Sequence, residues 1–114
     1  MRRLKRLWNP RLWRRRVRFC WQRRTRGWDD SVTWNLDQQI AAWLAPRLRR
    51  FRELNNGFPH DVTSKQWDAE LDEMVWAAEW YAQNAYGSDI DPKEWRRARR
   101  GLKRVMKRLP DLWW

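Results

Sequence analysis

A chain of 114 residues allows one small domain with a tail and a limited margin of stability. Hydrophobic residues make up 42% of it, which excludes a fully disordered polycation despite a formal net charge of +12 at pH 7. The single cysteine, Cys20, excludes an internal disulfide and a zinc site built from cysteines, and the single histidine, His60, excludes most histidine-dependent catalysis.

The basic N-terminus is not followed by an apolar run of signal-peptide length, because arginines interrupt it throughout. The most apolar run, residues 40–45, is too short to span a bilayer. We therefore expect a protein of a reducing compartment, the cytoplasm.

Charge is distributed unevenly along the chain. Residues 1–27 hold 12 Lys and Arg and no acid, residues 28–90 hold 5 against 11 acids, and residues 91–114 hold 9 against 3. Even complete pairing with the acidic middle leaves an excess of twelve positive charges unmatched. This asymmetry predicts a polyanionic partner for the two basic ends.

In chain order, the first predicted element is a helix that begins at Pro10 and runs from Arg11 to about Arg24. Its apolar residues do not form one stripe, and its arginines spread around most of the circumference. We interpret residues 1–27 as an Arg/Trp-rich arm in front of a core domain of residues 28–114. Whether the arm is ordered without a partner stays open.

Three further helices are predicted, over about residues 31–54 with a kink at Pro46, 64–86 and 92–109. The apolar stripe of the first comprises Leu36, Ile40, Trp43, Leu44, Leu48, Phe51 and Leu54. The stripe of the last comprises Trp95, Ala98, Leu102, Val105, Met106 and Leu109. Such stripes predict an all-α fold, in which three helices pack around one core behind a basic helical arm.

Several short motifs between residues 26 and 80 form a distinctive pattern. They are Arg26-Gly27-Trp28-Asp29-Asp30, Thr33-Trp34-Asn35-Leu36-Asp37, Gly57-Phe58-Pro59, and Trp67-Asp68 with Leu71 and Met74. In this pattern the chain resembles a group of small proteins encoded by tailed bacteriophages and prophages, for which no activity is established. The resemblance implies a phage origin, and hence the cytoplasm of a host cell, and it carries over no catalytic residue.

The last predicted helix carries a broad arc of basic side chains opposite its apolar stripe. These are Arg96, Arg97, Arg99, Arg100, Lys103, Arg104, Lys107 and Arg108. Like charges on one face repel each other, and phosphates of a nucleic acid would supply the missing counter-charges. The alternative is a solvated surface that acids of the preceding helix neutralise in part.

The arm supplies a second set of candidate nucleic-acid-binding residues. These are Arg11, Arg14, Arg15, Arg16, Arg18, Arg23 and Arg24, with Trp13 and Trp21 among them. Arginine binds phosphate bidentately and indole stacks on exposed bases, which favours RNA or another single strand. An anionic membrane surface is the alternative, and the split apolar positions make it less suitable.

Trp76 and Trp80 lie one helical turn apart, on the predicted face opposite the core stripe of their helix. An exposed pair of this kind predicts a partner-binding surface. The alternative is that the arm packs there with its arginines over the indoles. Trp113 and Trp114 are either a lid on the core or an anchor for a partner.

The sequence offers weak signals for catalysis. Asp68, Asp72 and Glu79 have no second ligand cluster with metal spacing, and His60 lacks partners at the spacing of a triad. The four glycines form no phosphate-binding loop. We predict a protein that is not an enzyme and that needs no cofactor and no metal.

These observations favour a phage-encoded binder of nucleic acid or of a nucleoprotein complex. One alternative is an anti-defence inhibitor of a host nucleoprotein machine such as a CRISPR effector, with the acidic middle helix mimicking nucleic acid. A second is a virion or assembly protein. The choice between RNA and DNA, the sequence specificity and the oligomeric state stay open.

Overall fold

The computed structural model describes residues 9–113, and every regular element within them is helical. The α-helices are α1 (Pro10–Arg26), α2 (Leu36–Leu54), α3 (Ser64–Asn84) and α4 (Pro92–Arg108). Two short 3-10 helices, Asp30–Thr33 and Leu109–Asp111, follow α1 and α4. The predicted all-α fold is confirmed.

The chain divides into two compact units, Met1–Leu36 and Asp37–Trp114. The first unit contains α1 and the 3-10 helix after it, and it therefore reaches beyond residues 1–27, the predicted arm. The second contains α3, α4 and nearly all of α2.

Local signals set both ends of α1. The side chain of Asn9 accepts a hydrogen bond from the Arg11 amide at 3.0 Å, and Pro10 occupies the first turn. The helix ends at Gly27, whose φ of +86° lies in the left-handed region, and the Gly27 amide donates to the Arg23 carbonyl at 3.0 Å. The predicted helix over Arg11 to Arg24 is thus confirmed.

The predicted start of the next helix near Ser31 is wrong. The Asp29 carboxylate caps the 3-10 helix Asp30–Thr33 by accepting a hydrogen bond from the Ser31 amide at 2.9 Å, and α2 begins only at Leu36. The helix then continues through Pro46. Because Pro46 is exposed, water can reach the carbonyl that loses its hydrogen bond there.

The starts of α3 and α4 follow the sequence signals. Thr63 and Gln66 form a reciprocal capping box, with hydrogen bonds of 3.2 and 2.9 Å between side chains and amides. Asp91 caps α4 by accepting from the Lys93 amide at 2.9 Å, and Pro92 occupies the first turn. Helix α4 ends at Arg108, and the 3-10 helix that follows contains Pro110.

The core lies among α2, α3 and α4. It comprises Ala45, Leu48, Trp67, Leu71, Met74, Val75, Ala78 and Val105. Two parts of the predicted stripes are wrong, because their residues are exposed: Leu36, Ile40, Trp43 and Leu54 of α2, and Met106 of α4 with Leu109 directly after it. Both helices instead turn a side with small residues inward, Ala41 and Ala45 in α2 and Ala98 and Gly101 in α4.

The contact between α3 and α4 is close because its centre holds the smallest side chains. Ala77 and Ala98 are fully buried. A Cβ atom on Gly101 would lie 2.3 Å from the Cβ of Ala77 and 3.0 Å from the carbonyl oxygen of Glu73. This packing fixes which side of α4 faces solvent, and it therefore decides which basic residues are available to a partner.

Candidate nucleic-acid interface

The turn after α1 carries acids back to the basic end of that helix. Arg23 pairs with Asp29, and Arg26 pairs with Asp30 at 2.6 Å. The amide of Gln22 donates to Asp30 at 2.7 Å, while its side-chain oxygen accepts from the Asp30 backbone amide at 2.9 Å. Of the predicted site residues, Arg23 is therefore engaged within its own unit.

Hydrogen bonding lowers the pKa of both acids in this turn. For Asp29 the largest cause is the Ser31 hydroxyl, followed by the guanidinium of Arg23. For Asp30 it is the Gln22 amide, followed by Arg26. Both carboxylates are charged at neutral pH, and they hold their two arginines in place.

Aromatic contacts hold the same segment against α1. The guanidinium carbon of Arg15 lies 4.2 Å from the ring centroid of Trp34, and Phe19 meets Trp34 edge to face at 5.7 Å. The guanidinium of Arg26 lies 3.8 Å from the Trp28 ring. Arg15 is thus partly engaged in a cation–π contact with Trp34.

The other predicted basic residues of α1 are exposed and form no ion pair with a carboxylate of residues 9–113. They are Arg11, Arg14, Arg16, Arg18 and Arg24. Trp13 and Trp21 are also exposed, at 67% and 66%. This helix therefore presents unpaired arginines and bare indoles together.

Three of the eight predicted basic residues of α4 are neutralised by the protein itself. Arg97 binds both oxygens of Glu73 at 3.0 and 2.7 Å, and Arg104 pairs with Glu70 at 3.0 Å. Arg108 is buried and binds Asp61, Glu70 and Asp111. Hydrogen bonding to Asp61 and Glu70 raises the pKa of Arg108. For these three, the predicted alternative of neutralisation is what the structure shows.

The other five form a stripe of exposed cations without an ion-pair partner in the described part of the chain. They are Arg96, Arg99, Arg100, Lys103 and Lys107. With a rise of about 1.5 Å and a turn of about 100° per residue, they span roughly 16 Å within an arc of about 100°. We call this set the α4 stripe.

The acids of α3 are all engaged with arginines. Arg52 pairs with Asp68 at 3.5 Å and Asp72 at 3.0 Å, and Arg49 donates to Glu79 at 2.8 Å. Glu70 and Glu73 hold the paired arginines of α4. Within residues 9–113, no group of three His, Cys, Asp or Glu side chains is placed to hold a metal ion.

The predicted exposure of the Trp76 and Trp80 pair is wrong. Trp80 is only 8% exposed, and its indole N–H donates to Glu94 at 2.8 Å. Trp76 stacks on Trp80 at 6.2 Å and carries the Arg97 guanidinium 3.7 Å above its ring. The pair joins α3 to α4, because α4 packs across the face that was expected to be free.

Three polar residues link α2 and α3 in a cluster that the sequence pattern does not indicate. The hydroxyls of Tyr81 and Tyr86 each donate to Asp37, both at 2.5 Å. The pKa of Asp37 is lowered, chiefly by the Tyr81 hydroxyl. Burial, with the nearby carboxylate, raises the pKa of Tyr81 to about 12. Trp95 also stacks on Tyr81 at 5.7 Å.

The two ends of the chain lie partly outside the described residues. Trp113 is exposed, which does not fit a lid on the core, whereas Trp114 lies outside the described residues. Residues 1–8, with Trp8 and the first four basic residues of the arm, also lie outside them. In the part that is described, no helix is both long and apolar enough to cross a membrane.

No protein-family model, curated protein or solved structure matches the chain. The resemblance to phage-encoded proteins stays a prediction from the residues that carry it.

Proposed function

We propose that this chain is a non-enzymatic binder of nucleic acid, free or within a nucleoprotein complex, whose phosphates contact the unpaired cations of α1 and α4. One observation carries the proposal. The protein uses its carboxylates on a minority of the predicted basic residues. It leaves six on α1, one of which (Arg15) lies over Trp34, and five on α4 exposed and without an ion-pair partner in residues 9–113.

The carboxylates of the neighbouring helix are already in ion pairs. Each acid of α3, the helix against which α4 packs, is in an ion pair with an arginine of α2 or α4. Helix α3 therefore has no unpaired carboxylate left for the α4 stripe. A polyanion provides negative charges in a row and releases the small ions condensed on it, which makes binding favourable at low salt.

The charge pattern and the sequence resemblance together support a cellular location for this activity. A phage-encoded protein that binds nucleic acid would act in the cytoplasm of the host cell, where genomes and transcripts are exposed. The anti-defence alternative relies on an acidic α3 that mimics nucleic acid. The ion pairs of Asp68, Asp72 and Glu79 with Arg49 and Arg52 give that mimicry no support.

Fluorescence anisotropy tests the proposal with labelled RNA, single-stranded DNA and duplex DNA over a series of salt concentrations. We expect binding at low salt, with log K falling linearly as log salt concentration rises. Absence of binding to all three at the lowest salt concentration would reject the proposed function.

A further inference from the structure

Helix α1 has one face that packs on the segment after it and one face that is exposed. Arg15, Phe19 and Gln22 contact the segment that folds back after Gly27. At about 100° per residue, positions 13, 17 and 21 fall within an arc of about 80° on the other side of the helix. The side with Trp13, Val17 and Trp21 is therefore the outer face of the first unit.

This outer face is unusual in its apolar content. All three side chains are more than half exposed, with Trp13 at 67%, Trp21 at 66% and Val17 at 51%. Neither indole pairs with a ring or a guanidinium of residues 9–113, whereas Trp28 and Trp34 of the same unit do. Two bare indoles on a small protein mark a surface for a partner.

Arginines lie beside both indoles. Arg14 and Arg24 fall in or next to the same arc, and neither is in an ion pair with a described carboxylate. The face therefore offers flat apolar surfaces and phosphate-binding groups in alternation. A partner that fits it must carry negative charges and flat rings at short intervals.

We propose that the outer face of α1 is a stacking platform for two bases of a single-stranded nucleic acid. This inference rests on the proposed function and narrows it. The two indoles are eight residues apart, which corresponds to about 12 Å along the helix. In a duplex the bases are stacked about 3.4 Å apart and cover each other's faces, so that only an unpaired strand can give a base to each indole.

A lipid surface fits this face less well. Its apolar strip consists of Trp13, Val17 and Trp21 with only the small Cys20 beside them, and the large Phe19 packs against Trp34 on the other side of the helix. Arg14 and Arg24 interrupt the arc that would enter the headgroup region. Interfacial helices need a continuous apolar face, whereas strand binding needs the alternation found here.

The α4 stripe differs in this respect. It presents cations without an indole between them, and the nearby Trp95 is half-buried and stacked on Tyr81. Cations alone bind the phosphates of single strands and duplexes alike. The preference for a single strand therefore comes from α1.

The test compares Trp13→Leu and Trp21→Leu with a control, Trp43→Leu. Trp43 is also exposed, at 59%, but it lies on α2 beneath the guanidinium of Arg47. Affinity is measured for a labelled oligonucleotide and for its duplex, at one salt concentration. Circular dichroism checks that helix content is unchanged, which the exposure of all three side chains predicts.

Each variant of the α1 indoles should lower the affinity for the single strand by about fivefold to one hundredfold, as expected for the loss of one stacked base. The affinity for the duplex should change by less than about twofold, within the usual effect of a surface substitution. Trp43→Leu should leave both affinities unchanged.

Four results would overturn the inference. Equal losses for single strand and duplex, or no loss for either, would remove the platform while salt-dependent binding keeps the proposed function. Binding to neither nucleic acid would remove both. Loss of binding to phosphatidylglycerol vesicles in the indole variants, with strand affinity unchanged, would assign the face to a membrane instead.

Discussion

Neighbouring arginines of α4 have different environments although they look alike in the sequence. Arg97 makes a bidentate contact with Glu73 and covers the ring of Trp76, whereas Arg96 is exposed and without an ion-pair partner in the described residues. A rotation of about 100° between consecutive residues is enough to separate them. The difference provides a matched pair of substitutions.

We expect Arg97→Gln to lower the free energy of unfolding by about 1 kcal/mol, because it removes a surface ion pair and a cation–π contact. Arg96→Gln should change it by less than about 0.5 kcal/mol. Their effects on nucleic-acid affinity should be reversed, with Arg96→Gln weakening binding. Urea unfolding and anisotropy measure the two quantities. A larger loss of affinity for Arg97→Gln would contradict this assignment.

The two tyrosines of the chain make the Asp37 cluster visible to spectroscopy. The pKa of Tyr81 is raised to about 12 and that of Tyr86 is also raised. A group with a raised folded-state pKa stabilises the protein below its unfolded value and loses that contribution as pH rises. The contribution of Tyr81 should therefore disappear between about pH 10, the unfolded value, and about pH 12.

Tyrosinate absorbance should show that both tyrosines of the folded protein ionise above the ordinary value of about 10, and Asp37→Asn should move both transitions down toward that value. Tyr81→Phe should remove the higher transition. At acid pH, the lowered pKa of Asp37 means that its contribution is lost as pH falls below the ordinary range of aspartate. A Tyr81 that ionises near pH 10 in the unaltered protein would disprove the cluster.

At the scale of the helices, the close contact of α3 with α4 determines which basic residues are exposed. Gly101 lies against Ala77, so that α4 turns Ala98 and Val105 inward and the α4 stripe outward. A glycine inside a helix normally costs about 1 kcal/mol of stability relative to alanine, so that its presence at position 101 needs a structural reason. The close approach of the helices accounts for it.

Gly101→Ala should therefore destabilise the protein by about 1–3 kcal/mol, the usual range for overpacking, although helix propensity alone predicts a gain. The control is Gly57→Ala, because no atom lies within 4 Å of a Cβ at that position. It should be neutral or slightly stabilising. Thermal or urea unfolding measures both, and a stabilised Gly101→Ala would show that the helices are not in close contact.

The helices that the sequence predicts well are those with explicit end signals. Thr63 with Gln66, and Asp91 with Pro92, are short-range motifs that act through the local backbone. The inward side of α2 was not predictable in the same way. Leu36, Ile40 and Trp43 match a core stripe in period, but the alanines on another side allow the helices to approach, and only tertiary packing decides between them.

At the scale of the whole molecule, the net charge follows from the sequence alone, whereas the arginines that are neutralised are seen only in the structure. The sequence predicts a surplus of cations at both ends, and the surplus cannot depend on how the chain folds. The sequence cannot show which arginines are neutralised, because Glu73, which binds Arg97, and two of the three acids that bind Arg108 lie more than twenty residues away. The exposure of the Trp76 and Trp80 pair was predicted wrongly for the same reason, since the residues that contact the pair belong to α4.

The salt dependence of the binding affinity measures how many exposed cations contact phosphates, because each contact contributes about 0.7–0.9 to the slope of log K against log salt concentration. The decisive measurement compares this slope for the unaltered protein, for Arg99→Gln/Arg100→Gln/Lys103→Gln in the α4 stripe, and for Arg97→Gln/Arg104→Gln among the paired residues. The account predicts a slope shallower by about 2–3 for the stripe variant and an unchanged slope for the paired variant. Equal slopes for all three proteins, or an equal reduction in both variants, would contradict it.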